Sequence, residues 1–470
     1  MPEAPEIKPS ILVIFGITGD LAKRKVLPAL YHLCKDRLLP EGTKVIGISR
    51  RDVPLEEILD TVNLCVMEKD NICDPEVISR LRSWVSMFKL DPLSDDDYEH
   101  LKRHLNDLEQ AAKQCMDRLF YLSIPPQVYS PIIQKMGQHG LNASCDHNQA
   151  KVRLMIEKPF GHDVTSAEFL VNETEKVFTE EQIFRIDHYL AKETAQNILR
   201  FRRHNPVFSS QWNSRHIRRI HVMAKEKIGI ENRINFYEQV GAMRDLIQSH
   251  LMQLLSLTAM HLPAELNSED IHAAKHAFMQ SLIPPGTEGK SISNQVVRGQ
   301  YDSYREEVAN PHSSTETFVS LLLKSSDPDW EGTTFQLTTG KYLDEKLTQI
   351  QVQFGDRDPN ILSLRIQPDE GIDINLLIEQ PGFTHNLRQV RLNFSYSQDF
   401  DTINHDAYER GLVDAIRGER LLFATKMEVL TSWHLLQPII NSWQNQSDDL
   451  KFYAAGSRGP SILKLNRQEF

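Results

Sequence analysis

The sequence predicts an α/β protein in two parts: an N-terminal Rossmann-like, doubly wound parallel sheet, then an α+β C-terminal part with a large, mainly antiparallel sheet. Three observations carry this. Over the first 200 residues short apolar runs alternate with amphipathic helical stretches, the pattern of a parallel sheet with helices on its faces. One such run leads straight into a glycine-containing turn and a helix. Beyond about residue 205, strand-like segments follow one another with few helices between them. The boundary falls near residue 190, dividing the chain into 1–190 and 191–470.

The elements follow in order. Ile11 to Phe15 is a short buried strand, succeeded by a helix from about Leu21 to Leu33. Lys44 to Ser49 is the second strand, and Arg118 to Ile124, Val152 to Glu157 and Ile183 to Asp187 repeat the motif. Right-handed crossovers would place ligands at the C-terminal ends of these strands. In the second part Ile217 to Met223, Thr317 to Leu323, Phe335 to Leu337, Ile350 to Phe354, Leu362 to Ile366, Ile372 to Ile378 and Val390 to Tyr396 read as strands. Tyr237 to Met260 reads as one long helix, apolar at Val240, Met243, Ile247, Leu251, Leu254 and Leu255. Two late helices lie near 405–417 and 425–443.

Composition narrows the class of function. At 470 residues the chain can bury two cores, and 40% hydrophobic with 25% charged residues excludes a disordered or fibrous protein. A net charge of −11 argues against nucleic acid as a partner and requires any anionic substrate to find a locally positive cleft. No apolar run reaches membrane-spanning length, and Met1 to Ser10 is unlike a signal peptide. Five cysteines without Cys-x-x-Cys spacing make a disulfide framework or a zinc site improbable. A soluble cytoplasmic protein without a metal or a membrane partner is expected.

The first strand runs into Gly16-Ile-Thr-Gly-Asp-Leu-Ala-Lys23. Thr18 and Leu21 occupy the second and third positions of a G-x-G-x-x-G pattern, yet the physics survives in the G-x-x-G form. Gly16 permits the tight strand exit, and Gly19 lets backbone approach a pyrophosphate at a helix N-terminus. The second strand ends in Ile48-Ser49-Arg50-Arg51, where an acidic residue would bind a ribose hydroxyl and arginine instead pairs with a 2′-phosphate. NADP rather than NAD is therefore expected, with a solvated arginine pair as the plain alternative. Glu157-Lys-Pro-Phe-Gly161 sits at the same edge of another strand. A cis Lys158–Pro159 bond would hold a sharp turn there, although trans is the commoner state. Lys158 could reach both nicotinamide and substrate.

Arg185-Ile-Asp-His-Tyr-Leu-Ala-Lys-Glu193 places an imidazole, a phenol and an ammonium around a strand-to-helix junction. Asp187 and His188, as neighbours at a strand end, would point to opposite faces. Tyr189 and Lys192 would follow on the first helical turn, where free N–H groups favour an anion. A phosphate socket and an ordinary capped helix, with Asp187 bonded to nearby amides, both fit this spacing. His250 lies amid apolar residues of the long helix, where a satisfied core histidine is the commoner case. Asp245 precedes it by five residues, about 140° around an ideal helix, so the two need not share a face. A carboxylate from elsewhere would have to hold the imidazole, and Asp187 is the candidate.

Together these motifs, with Asp406-Ala-Tyr-Glu-Arg410 and Gly456-Ser-Arg-Gly-Pro460, resemble the glucose-6-phosphate dehydrogenase family from Ile11 to about Pro460. The resemblance implies NADP-dependent oxidation of β-D-glucose 6-phosphate to 6-phosphoglucono-1,5-lactone, the first step of the oxidative pentose phosphate pathway. It also implies a homodimer or homotetramer built through the large sheet, with residues 1–190 as the NADP-binding domain and 191–470 serving substrate binding and oligomerisation. Carried over, His250 corresponds to the general base and Asp187 to the carboxylate orienting it. His188, Tyr189 and Lys192 match phosphate-binding positions, and Lys158 a lysine shared by substrate and cofactor. Glu226 and Asp245 match residues holding sugar hydroxyls; Lys341, Lys346 and Gln367 match further substrate contacts. Gly16, Ile17, Thr18, Gly19, Asp20, Leu21, Ala22, Lys23 and Arg50 match the NADP site.

Departures from the family pattern are Ala191 for a usual glycine and Lys227-Ile-Gly for a common Pro-Phe-Gly. Some animal members hold a second, structural NADP; Arg365 and Arg458 match that set, but Leu347 and Gln351 replace expected basic residues and the sequence stops at Phe470. No structural nucleotide is expected. The rival readings are a related two-domain sugar oxidoreductase acting on another sugar, which would lack the Lys192 socket, and a catalytically silent NADP sensor, which would have lost His250 or Asp187.

Overall fold

The computed structural model describes residues 7–70, 72–144, 150–287, 291–356, 359–382, 385–400, 405–421, 423–445 and 449–461. The chain divides into two compact units. Met1–Gly161, Thr165–Ala191 and His405–Lys426 form the first; His162–Val164, Lys192–Asn404 and Met427–Phe470 form the second. Residues 405–426, which the sequence pattern set among the late elements of the second part, belong to the first unit.

Sixteen strands occur among the described residues. In chain order β1 (Ser10–Phe15), β2 (Lys44–Ser49), β3 (Val85–Lys89), β4 (Asp117–Leu122), β5 (Val152–Ile156) and β6 (Ile183–Ile186) come first. They precede β7 (Ile217–Lys225), β8 (Val296–Tyr301), β9 (Phe318–Leu323), β10 (Thr334–Gly340), β11 (Leu347–Phe354), β12 (Asn360–Gln367), β13 (Gly371–Glu379) and β14 (Leu387–Ser395). The last two are β15 (Phe423–Ala424) and β16 (Leu450–Tyr453).

The first unit holds a seven-stranded sheet in the order β15-β6-β5-β4-β1-β2-β3, parallel except for β15 against β6. Both faces are covered, which is why β1 reads as an unbroken apolar run and every one of its residues is buried. The winding reverses between β1 and β4, and a sheet of this kind opens a ligand crevice at that point. The strand β3 was not foreseen: it follows the helix Pro75–Trp84 without a turn residue, so its five residues read as a continuation of that helix.

Helix Ala407–Arg417 is fastened within this unit by charge. Its N-cap Asp406 accepts the Tyr408 N–H at 3.0 Å. His32 spans two carboxylates, with Nδ1 2.7 Å from Glu409 Oε1 and Nε2 2.7 Å from Asp70 Oδ2. His405 Nδ1 lies 2.9 Å from the other oxygen of Glu409. The Glu409 bond raises the His32 pKa most, burial opposes it, and Asp70 adds to the rise.

The second unit is built on a nine-stranded sheet, β14-β13-β12-β11-β7-β10-β9-β8-β16. Its ladders are antiparallel except β7–β10 and β8–β16. The strand β8 escaped notice because its buried residues include Arg298 and Gln300; Arg298 is neutralised by Asp449, whose Oδ1 it meets at 2.8 Å through Nε. Helices Glu193–His204 and Ser268–Ser281 and the segment 234–259 pack on this sheet and on one another. A fully buried Glu428 ties three helices together, bonding Lys275 Nζ at 3.1 Å, Gln253 Nε2 at 3.2 Å and His272 Nδ1 at 2.9 Å. Burial pushes its carboxyl up, but Lys275 and His272 outweigh burial and hold it at about 2.

The expected long helix is not one helix. It runs as Ile234–Ala242, a π-helical segment Met243–Leu251 and an α-helix Met252–Ala259, with a break at Gly241 (φ 66°, ψ 175°). The cysteines also depart from expectation: Cys115 is disulfide-bonded, while Cys34, Cys65 and Cys73 are free. No helix among the described residues is long and apolar enough to cross a membrane.

The His32 clasp predicts a pH dependence. A histidine whose folded pKa is raised stabilises the fold fully below its unfolded value near 6.5 and loses that contribution as pH rises through the folded value. His32→Asn should therefore cost about 1.5–3 kcal/mol at pH 5.5, the worth of hydrogen bonds to a charged group. The deficit should shrink by pH 9. Urea denaturation of parent and variant at both pH values checks this, and a deficit independent of pH would contradict it.

Candidate active site

At the crevice of the first unit, β1 turns at Gly16 with φ 79°. A Cβ there would lie 2.5 Å from the Ser123 carbonyl oxygen and 2.6 Å from Ile124 Cγ2, so the backbone beyond β4 leaves room only for glycine. The Gly19 N–H donates to Gly16 O at 2.8 Å and the Lys23 N–H to Gly19 O at 3.0 Å, which winds the loop into the helix. Ile17 and Ala22 are fully buried and anchor the loop, leaving the backbone and the polar side chains of Thr18, Asp20 and Lys23 as its outward groups. Leu21 is half-buried. Asp20 is paired with Arg24 at 2.8 Å.

Arg50 and Arg51, at the end of β2, are exposed and have no ion-pair partner among the described residues. A phosphate-bearing dinucleotide fits this donor set. It needs a turn closed to any side chain beyond hydrogen, followed by a helix start, and cations at the next strand end.

The second cluster of this unit gathers around Glu157. Burial pushes its carboxyl up to about 7, against a hydrogen bond from Tyr121 and the charge of Lys158. Tyr121 Oη donates to Glu157 Oε1 at 2.5 Å, and Tyr129 Oη donates to the Glu157 carbonyl at 3.1 Å. The Lys158–Pro159 bond is cis, and Lys158 is half-buried.

The junction after β6 differs from expectation. The strand ends at Ile186, and 187–192 form a turn before the helix Glu193–His204 begins. Asp187 therefore lies past the strand, and alternation of faces does not govern it and His188. Its Oδ1 accepts the Tyr189 N–H at 2.9 Å and its carbonyl accepts the Leu190 N–H at 3.1 Å. Tyr189 belongs to this turn and Lys192 is the N-cap, so neither is on the first helical turn. The His188 ring stacks on Tyr408 at 5.9 Å and 21°. Tyr408 had been noted only as part of a motif without a role. Burial, then Glu157 and Asp406, raise its phenol well above the usual value.

In the second unit Lys192 Nζ lies 3.7 Å from Glu370 Oε1, while Glu370 Oε2 accepts the Thr194 N–H at 2.9 Å. Glu370 follows closely on Gln367, the last residue of β12, through a cis Gln367–Pro368 bond. Lys192 and the Gln367 turn are thus brought together by a carboxylate that sequence reasoning missed. Glu226 and Lys341 form an ion pair, and Lys341, almost wholly buried, lies 5.1 Å over the Tyr237 ring. Burial, then the charges of Asp245, Glu316 and Glu226, drive the Tyr237 phenol far above its usual pKa. Arg233 approaches Asp245 Oδ2 at 3.9 Å.

His250 is 2% exposed and shares the π-helical segment with Asp245. There the hydrogen bonds run from i to i+5, so residues five apart stand one turn from each other. The separation of 140° applied to an α-helix and does not hold for this pair. Lys346 is exposed just before β11 and makes no ion pair among the described residues. Arg365 is engaged by Asp373 at 3.0 Å and by the Phe394 carbonyl at 3.0 Å, and Arg458 faces Asp344 at 3.4 Å. Leu347 and Gln351 lie on β11.

Two family models together span nearly the whole chain. Residues 13–197 match the family model described as glucose-6-phosphate dehydrogenase, NAD binding domain, and residues 199–468 match its C-terminal domain. The chain is 36% identical over 488 residues to glucose-6-phosphate 1-dehydrogenase of Chlamydia muridarum, covering 98% of this chain and 95% of that protein. It is 37% identical over 481 residues to the Chlamydia pneumoniae enzyme, covering 96% and 93%. A solved glucose-6-phosphate dehydrogenase in complex with its substrate glucose-6-phosphate superposes with a TM-score of 0.89 at 29% identity, covering 97% of each chain. The chain therefore belongs to the glucose-6-phosphate dehydrogenase family.

Proposed function

We propose that this chain oxidises β-D-glucose 6-phosphate to 6-phosphoglucono-1,5-lactone with NADP, the first step of the oxidative pentose phosphate pathway. The observation that carries the reading is the buried His250 on a π-helical segment that also holds Asp245, in the unit where Lys341 and Glu226 pair. Local π winding recurs at functional sites in proteins generally. A buried imidazole suits a general base because its unperturbed pKa lies close to neutrality.

When bound, the nicotinamide supplies the hydride acceptor. His250 takes the proton of the C1 hydroxyl as the C1 hydride leaves, and Asp187 orients the imidazole and supports its positive charge. His188, Tyr189 and Lys192 hold the phosphate, and Lys158 serves substrate and nucleotide alike. Glu226 and Asp245 accept hydrogen bonds from sugar hydroxyls, while Lys341, Lys346 and Gln367 complete the substrate contacts. The loop Gly16, Ile17, Thr18, Gly19, Asp20, Leu21, Ala22 and Lys23 receives the pyrophosphate, and Arg50 reads the 2′-phosphate. Lysines at the sugar phosphate offset the chain's net charge of −11, which would otherwise repel an anionic substrate.

A homo-oligomer formed through the large sheet is part of this reading. The edge strand β14 and its neighbour β13 expose Ile378 and Leu392 on the face they share with Leu376 and Val390. An unpaired, apolar sheet edge is a surface that proteins normally cover. Cytoplasmic residence completes it; Cys34, Cys65 and Cys73 are free, while the disulfide at Cys115 runs against a reducing compartment.

Three variants test the assignment. His250→Asn should lower kcat by about 10²–10⁴, the usual worth of general-base catalysis, with KM for glucose 6-phosphate little changed. NADPH absorbance at saturating substrates reads this, and an unaltered kcat would remove His250 from the chemistry. Lys192→Ala should raise KM for glucose 6-phosphate roughly ten- to hundredfold, since it takes one charged hydrogen bond from the phosphate. A variant with parental KM would contradict the socket. Arg50→Ala should cut the preference for NADP over NAD, measured as a ratio of kcat/KM values, by about tenfold or more; an unchanged ratio would transfer the role to another group.

A further inference from the structure

The segment carrying Asp245 and His250 starts abruptly. Gly241 adopts φ 66° and ψ 175°, a region open essentially to glycine alone, and the π-helical segment begins two residues later at Met243. Its N-cap, Ala242, offers no side-chain cap to the unsatisfied N–H groups of the first turn. Glu316 fills that role from the residues just before β9. Its carbonyl accepts the Ala242 N–H at 2.9 Å, and its carboxylate Oε1 accepts the Met243 N–H at 3.0 Å.

Gly241 and Glu316 fit as a pair. A Cβ on Gly241 would lie 2.5 Å from Glu316 Oε1 and 2.8 Å from Oε2, so the carboxylate occupies the space a side chain would take. Glu316 is itself 4% exposed and fixed from both sides. Thr315 Oγ1 donates to the Glu238 carbonyl at 2.9 Å; the Thr317 N–H donates to Gly299 O at 2.7 Å, and the Thr317 hydroxyl meets Tyr453 Oη at 2.9 Å. A buried acid is costly to place without a purpose. Here it meets the positive end of a helix, where a carboxylate is stabilising. The register of everything downstream, including Asp245 in the first turn and His250 at the end of the segment, is set by where that first turn is held.

We propose that Glu316 is a positioning residue for the reaction: anchored beside β9, it caps the π-helical segment through Met243 and holds Asp245 and His250 in register. This rests on the functional reading above. Glu316 acts through the helix it caps.

The test compares the full-length parent with E316A and E316Q by two readouts. Amide hydrogen exchange over residues 243–251, without substrate, reports the cap. Steady-state kinetics with glucose 6-phosphate and NADP reports the register. E316A should speed exchange across that segment at least tenfold and lower kcat at least tenfold, with both KM values within threefold of parent. E316Q, whose amide oxygen can still accept the Met243 N–H, should return both readouts to within threefold of parent. A folded E316A with parental exchange and kcat overturns the proposal, and so does a loss in E316Q equal to that in E316A. Should E316A fail to fold, E316D carries the test, since it keeps the charge but draws the carboxylate back by one methylene. A threefold or larger fall in its kcat at constant KM is expected, and parental kcat overturns the proposal. A parent chain with no glucose 6-phosphate oxidation would defeat the functional reading by itself, and the exchange comparison would still judge the cap.

Discussion

The backbone break at Gly241 stands at the head of the segment that carries the two candidate site residues Asp245 and His250. A glycine-only conformation ends one helix, and the next winds with hydrogen bonds from i to i+5. Without the π winding Asp245 and His250 would diverge around an α-helix. With it, both residues stand one turn apart on a segment that is buried along most of its length. Glycine reaches this conformation without steric cost, and the surroundings hold it there. Here those surroundings include the Glu316 cap and, nearby, the Glu226–Lys341 pair under Tyr237.

A second glycine does comparable work in the first unit by a different route. Gly16 is required by proximity as well as by φ, because the Ser123 carbonyl lies where a Cβ would be. That close approach is a consequence of topology. The strands β1 and β4 are neighbours although far apart in the chain, and their ends meet at the crevice. Two local constraints of the same type thus occur, each confined to its own unit: backbone geometry excludes a side chain, and the space released is given to a carbonyl or a carboxylate.

How much of this could be read from the sequence depends on the distance over which each feature is written. The run Ile11–Phe15 into Gly16, the Arg50 position after β2 and the period-two pattern of β11 are local, and periodicity and turn chemistry expose them. The cis Lys158–Pro159 bond could be raised only as a possibility. The π winding is invisible to an apolar pattern, because the same side-chain sequence is compatible with backbone bonds to i+4 or i+5 and only the tertiary setting chooses. Glu316 stands 73 residues from the amide it caps and Lys341 stands 115 from Glu226, so no local pattern links them. Tyr408 lay inside a quoted motif, yet its stacking on His188 depends on a late helix returning to the first unit. The strand β8 was hidden by the burial of Arg298 and Gln300, polar residues whose partners lie outside the strand, Asp449 for the first and the Ser313 and Thr315 carbonyls for the second.

Joint action of Asp187 and His250 is the assumption on which the proton transfer stands, and a double-mutant cycle addresses it without reference to either residue's separate worth. Groups that act as one unit lose their effect once, so D187A and H250N combined should depress kcat/KM for glucose 6-phosphate no more than about twofold beyond the more damaging single change. Losses that multiply across the two substitutions would show that the carboxylate and the imidazole work independently, and the mechanism drawn for this chain would be wrong.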